Sequence, residues 1–155
     1  MNILFVCTGN ICRSPFAEYY ARQRATELGL HSLQFRSAGI MGVDGNPCSD
    51  VTRHAARALS VNVEEHLAQT VSDDLLEWAE LILVMEEEQA RSVRDLTPSL
   101  SRGKIQLLSS YCPGYNKPLA IPDPHRAAEW AHRASFELIR QCVDEFFVQL
   151  TRQSA

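Results

Sequence analysis

Four short runs of apolar and β-branched residues punctuate the chain, at 2–6, 33–37, 81–85 and 104–108, and between them apolar positions recur at helical rather than alternating spacing. The runs predict strands, and the run at 2–6, Asn-Ile-Leu-Phe-Val, has the continuous apolar character of a central parallel strand. Helices are predicted over 15–28, ended by Gly29; over 50–59, capped by Ser49 or Asp50; near 73–79; over 86–95; and over 126–150. The last of these repeats Ala131, Ala134, Leu138, Cys142, Phe146 and Leu150 along one face, which reads as its core contact. Strand–helix alternation of this kind calls for an α/β fold: a single doubly wound domain over residues 1–155, with a four-stranded parallel sheet covered by helices on both faces. Ligands bind such folds at the carboxyl edge of the sheet, where the connection after the first strand lies. Repeats, low-complexity tracts and linker-like segments are absent from the sequence.

That first connection carries the chemistry. Cys7 closes the first strand and Arg13 follows six positions later, where Ser14 and Pro15 open a helix; proline suits a first helical turn because its missing N–H has no partner there anyway. Gly9 and Asn10 are residue types that tolerate left-handed backbone, so the amides of Thr8, Gly9, Asn10, Ile11 and Cys12 can converge into an anion-binding nest at a helix N-terminus. A helix N-terminus and a nearby guanidinium favour thiolate over thiol, which makes Cys7 a candidate nucleophile. Arg13 offers a planar fork of donors that matches two phosphate oxygens. Ser14 is placed to donate to the sulfur, both at rest and when it leaves. The plain alternative is a buried cysteine that happens to precede an arginine. The strand before the loop, Gly-Asn within it and Ser-Pro after it favour the catalytic reading.

Composition narrows the partners. The net charge of −4 argues against nucleic acid or an anionic membrane, which select basic patches. The apolar N-terminal run is too short for a signal peptide and nothing approaches transmembrane length, so a cytoplasmic protein is expected. Five cysteines, without paired spacing, indicate neither a disulfide framework nor a zinc site. Cys48, Cys112 and Cys142 are read as small apolar filling. Cys12, in the same loop as Cys7, could trap an oxidised Cys7 as a reversible disulfide or simply pack beneath the loop.

The loop, the Ser37-Ala38-Gly39 turn after the second strand, the apolar strand 81–85 and the late Asp123-Pro124 pair resemble, in this order, the low-molecular-weight protein-tyrosine phosphatase family. The resemblance spans almost the whole chain and implies the phosphotyrosine protein phosphatase I-like fold. It implies that Cys7 attacks phosphorus, that Arg13 binds the phosphoryl group together with the loop residues Thr8 to Ser14, and that Asp123 is the general acid. It also implies that Ser37, and His66 on a short later strand, hold Asn10 in its unusual conformation. No cofactor and no metal is expected. An acid over the loop is required independently, because a phosphate ester leaves poorly without a proton. Asp123 precedes Pro124 in a long connection, 109–124, of the kind that is usually functional.

Family members line the rim of the pocket with an apolar residue after Ser-Ala-Gly, here Met41 or Ile40, and with aromatics after Asp-Pro. This chain has His125 and Arg126 instead. His125 could stack on a phenyl ring and Arg126 could attract acidic peptide, or both could be the solvated start of the last helix. The related protein-arginine phosphatases carry threonine where this chain has Ile11, which favours phosphotyrosine. The alternatives are an arginine phosphatase of the same fold and a non-catalytic phosphotyrosine-binding module. Arsenate reductases of this fold need two more cysteines after the third strand, which 86–94 lacks. The expected partner is a phosphotyrosine-containing protein, a tyrosine kinase among the candidates.

Overall fold

The computed structural model describes residues 1–99, 102–112, 114 and 119–153, so part of the 109–124 connection lies outside the described residues. Four parallel strands, β1 (Asn2–Cys7), β2 (Gln34–Gly39), β3 (Leu81–Val84) and β4 (Ile105–Leu107), form a sheet in the order β2-β1-β3-β4. The helices are α1 (Arg13–Glu27), α2 (Asp50–Ala58), α3 (Asp73–Trp78), α4 (Glu87–Leu96) and α5 (Glu129–Gln153). Strand alternation sorts β1 between two cores: Ile3, Phe5 and Cys7 meet α1, α2 and α5, whereas Leu4 and Val6 meet α3 and α4. The fold is therefore doubly wound, with helices on both faces, as the alternation predicts.

Because the chain crosses from β2 on one side of β1 to β3 on the other, a crevice opens at the carboxyl ends of β1 and β3. The Cys7 loop lies in that crevice. Phe16 stacks on Phe136 with ring centroids 4.3 Å apart, which fixes the start of α1 against α5. Ser49 caps α2 by accepting from Thr52 N–H at 3.3 Å, as one of the two expected caps.

Several expectations are corrected. On α5 the core face consists of His132, Ser135, Phe136, Ile139, Cys142, Val143, Phe146 and Phe147, while Ala134 is exposed and Ala131, Leu138 and Leu150 are only partly buried. The bulky Phe136, Ile139, Val143 and Phe147, which lie off the expected stripe, set the face together with Cys142 and Phe146, which lie on it. The helix begins at Glu129 rather than 126, because Arg126 takes a left-handed φ of 61°. His66 sits in a loop with single bridges nearby, Pro47 to Leu67 and Gly39 to Thr70, rather than on a strand. Cys112 and Cys142, read as unpaired filling, are joined as a disulfide with Cα atoms 4.5 Å apart. They lie 30 residues apart and meet only because the turn Leu108–Tyr111 packs on α5, which cysteine parity does not reveal. No helix among the described residues is long and apolar enough to cross a membrane.

Candidate active site

Cys7 ends β1 on the floor of a cavity of about 220 Å3, lined by Cys7, Thr8, Gly9, Ile11, Cys12, Arg13, Met41, Val43, Asp123 and His125. The loop amides face it for a traceable reason. The carbonyls of Cys7, Thr8 and Gly9 are drawn outwards by the N–H groups of Ile40 (3.0 Å), Met41 (2.9 Å) and Val43 (3.4 Å), and the carbonyl of Asn10 pairs with His66 Nε2 at 2.8 Å. In a trans peptide the next N–H points the opposite way, so the amides of Thr8, Gly9, Asn10 and Ile11 turn towards the cavity. The Asn10 amide reaches Cys7 Sγ at 3.3 Å, and Ser14 Oγ lies 2.9 Å from the same sulfur. Asn10 takes the expected left-handed backbone, φ 58°, but Gly9 does not. The glycine that the loop demands is Gly39, where a Cβ would lie 2.5 Å from the Thr8 carbonyl oxygen.

Arg13 is almost wholly buried, and its two edges are used differently. Nη1 donates to Glu86 Oε1 and to the Ile121 carbonyl, the latter at 2.8 Å. Nε has no partner among the described residues, and Nη2 has only Asp123 Oδ2 at 3.4 Å. A buried, unpaired guanidinium N–H is costly unless a ligand satisfies it, and the Nε–Nη2 edge is the fork that binds two oxygens of an oxyanion. Asp123 thus hangs beside the open edge of the arginine, with a half-exposed carboxylate whose other oxygen accepts from His125 N–H at 3.0 Å.

The family model of the low molecular weight phosphotyrosine protein phosphatases matches residues 2–155. The chain belongs to the low-molecular-weight protein-tyrosine phosphatase family. It is 34% identical over 145 residues to the low molecular weight protein-tyrosine-phosphatase Ptp of Acinetobacter johnsonii, covering 94% of each protein. Among solved structures, Vibrio vulnificus Wzb in complex with benzylphosphonate superposes with a TM-score of 0.83 at 29% identity, over 96% of this chain and 97% of that one. The YwlE arginine phosphatase from Geobacillus stearothermophilus has a TM-score of 0.86 at 23% identity, over 98% of this chain and 94% of that one, and bears on the fold alone.

In this member of the phosphatase family, Asn10 is braced from three elements. Its Nδ2 donates to Ser14 Oγ at 2.8 Å and to Ser37 Oγ at 2.9 Å, and its Oδ1 accepts from Gln69 N–H at 2.9 Å. Ser37 in turn donates to the buried Glu18, whose carboxyl burial pushes above the usual range, partly offset by that hydrogen bond and by Arg22 and Arg36. Burial depresses His66, and the Asn10 carbonyl opposes this only in part, so a neutral ring donating from Nε2 fits the site. Ser37 and His66 are therefore both brought to Asn10.

Burial pushes the Cys12 thiol up to about 11, against a hydrogen bond with Thr52 Oγ1 at 3.3 Å. Thiol–disulfide exchange proceeds through thiolate, so this burial works against rapid trapping of an oxidised Cys7. Met41 and His125 line the cavity, whereas Ile40 packs into the α3/α4 core and Arg126 lies outside the lining. Sequence reasoning missed Val43, Gln69, Glu86 and Gln89. Glu86 lies two residues beyond the end of β3, at the carboxyl edge beside β1, a position that the strand order singles out. Gln89 accepts from Met85 and Glu86 N–H and donates to Thr8 Oγ1 at 3.2 Å, tying α4 to the loop.

Proposed function

We propose that residues 1–155 form one phosphatase domain that hydrolyses phosphotyrosine in proteins through a cysteinyl-phosphate intermediate. The observation that carries this reading is the buried Arg13 fork beside Cys7 in the cavity lining, whose Nε has no partner among the described residues and whose Nη2 meets only Asp123 at 3.4 Å. The phosphoryl oxygens lie against the amides of Thr8 to Ser14 and the Nε–Nη2 edge of Arg13. The Cys7 thiolate attacks phosphorus in line, forming the S–P bond as the P–O bond to tyrosine breaks, and Asp123 gives its proton to the departing phenolate oxygen. Asp123, now a carboxylate, takes a proton from water as that water attacks phosphorus, which releases inorganic phosphate and returns the thiolate. Ser14 Oγ and the Asn10 amide stabilise that thiolate as leaving group. No step calls for a metal or cofactor.

Aryl substrate is supported by the apolar walls, Ile11, Met41 and Val43, and by the benzylphosphonate held by the related Wzb. The partner is a phosphotyrosine-containing protein, with a tyrosine kinase as one candidate and no role for nucleic acid or membrane. A reducing cytoplasm suits the Cys7 thiolate; there the burial of Cys112 and Cys142 restricts access of reducing thiols to their disulfide. The test is hydrolysis of an aryl phosphate and of a phosphotyrosine peptide. Both proceed in the presence of a chelator, and Cys7→Ser abolishes turnover while retaining vanadate binding. Near-normal turnover by Cys7→Ser, or loss of wild-type activity to chelator, overturns the mechanism.

A further inference from the structure

The turn that carries Asp123 to α5 holds an arginine where the backbone asks for glycine. Ala127 N–H donates to the Pro124 carbonyl at 2.8 Å, which closes a four-residue turn with His125 and Arg126 at its centre. Of these two only Arg126 has positive φ, 61°. That is the type II pattern, in which the third residue is normally glycine or asparagine because a Cβ is strained there. Non-glycine residues persist in such positions where surrounding structure or function holds them, and this one adjoins His125 at the cavity rim.

The Arg126 side chain is exposed and makes no ion pair among the described residues. Its neighbours in sequence offer none, because their carboxylates are engaged elsewhere. Asp123 faces Arg13 Nη2 and the His125 amide, and Glu129 pairs with Arg133 at 3.2 Å. On the opposite rim stand Met41, 70% exposed, and Val43, both uncharged. The exposed surface at the site is thus apolar at Met41 and Val43, and carries the unpaired positive charge of Arg126 next to His125 of the lining, in a protein whose net charge is −4.

We propose that Arg126 is a specificity-determining residue: its free guanidinium binds the carboxylate of an acidic residue flanking the phosphotyrosine, so the preferred substrates are acidic phosphotyrosine segments. The inference rests on the phosphotyrosine reading above. Its chemistry is a charge-assisted hydrogen bond at the protein surface, which adds to substrate binding and leaves the bond-making step alone.

The experiment compares kcat/KM on matched phosphotyrosine peptides whose residues within two positions of the phosphotyrosine are Asp and Glu, or Asn and Gln, for wild type, Arg126→Gly and Arg126→Lys. A small aryl phosphate serves as reference for each variant. Wild type favours the acidic peptide by about three- to tenfold, chiefly in KM, and the preference shrinks at high salt. Arg126→Gly relaxes the left-handed position, so its melting temperature does not fall, yet its acidic-to-neutral ratio drops towards one. Arg126→Lys keeps most of the ratio. A wild type that hydrolyses both peptides equally, or Arg126→Gly with the acidic preference intact, overturns the inference while leaving the phosphatase reading in place. Absence of hydrolysis of either peptide and of the aryl phosphate overturns both.

Discussion

Residues 7–14 are fastened from four directions: Ser37 and Gln69 hold the Asn10 side chain, His66 holds its carbonyl, 40–43 takes three more loop carbonyls, and Glu86 with Ile121 locks one edge of Arg13. Among the described residues, 123–126 rest on one hydrogen bond from His125 N–H to the Asp123 carboxylate, one turn bond and a 3.4 Å contact to Arg13, and Asp123 stays half exposed. The contrast follows from what each side meets. Every phosphate monoester presents the same trigonal set of oxygens, so donors fixed in advance stabilise the transition state without reorganising. Leaving groups and their flanking chain vary, which suits the placement of the proposed acid, Asp123, on a turn held by few contacts.

The first way to break this contrast is to remove Asp123, the proposed acid. Asp123→Ala is expected to cost about 10²–10⁴ in kcat on phosphotyrosine, but much less on an activated aryl phosphate that departs without a proton. Equal losses on both substrates would mean that Asp123 shapes the turn and that another group, with His125 adjacent, supplies the proton. The braced side is expected to fail differently. Gly39→Ala drives a Cβ to within 2.5 Å of the Thr8 oxygen, and should lower kcat on both substrates alike while destabilising the fold by about 1–3 kcal/mol. A protein of unchanged activity and melting temperature would show the loop to be less tightly fixed than described here.

Smaller effects sharpen the same distinction. Ile11 lines the cavity, and its branched side chain crowds the broad guanidinium head of phosphoarginine more than a phenolic oxygen. Ile11→Thr should shift the rate ratio towards phosphoarginine by several-fold, about 1 kcal/mol. Comparable wild-type rates on both substrates would remove the argument. The smallest effect concerns His66, depressed by burial below its ordinary 6.5. A group depressed on folding adds stability above its unfolded value and loses it as pH falls, because the unfolded chain binds the proton more readily. The melting temperature of wild type should therefore fall more steeply than that of His66→Gln between about pH 7 and pH 5. Parallel curves would place the ring in a more solvated setting.

Local chemistry made much of this legible. Gly-Asn, Ser-Pro and the run of apolar residues before Cys7 fix the strand, loop and helix because each is a short-range constraint, and strand–helix alternation then dictates a parallel sheet. Glu86, Gln69 and Val43 escaped because their roles depend on which strand lies beside which, and a lone glutamate or glutamine carries no pattern of its own. The Cys112–Cys142 link escaped for the same reason: its cysteines meet only after the Leu108–Tyr111 turn docks on α5. Arg126 was visible as a departure from the usual aromatics, but its left-handed backbone belongs to the folded turn.

The proposed covalent step at Cys7, assisted by Asp123, can be trapped. An activated, radiolabelled aryl phosphate mixed with Asp123→Ala and quenched in alkaline denaturant, which spares an S–P bond, should leave label on Cys7, because attack on this substrate needs no proton whereas hydrolysis of the intermediate lacks its base. Wild type should show less label at steady state, and Cys7→Ser none. Rapid turnover by wild type, with no label on Cys7 in either protein at any quench time, would contradict the account.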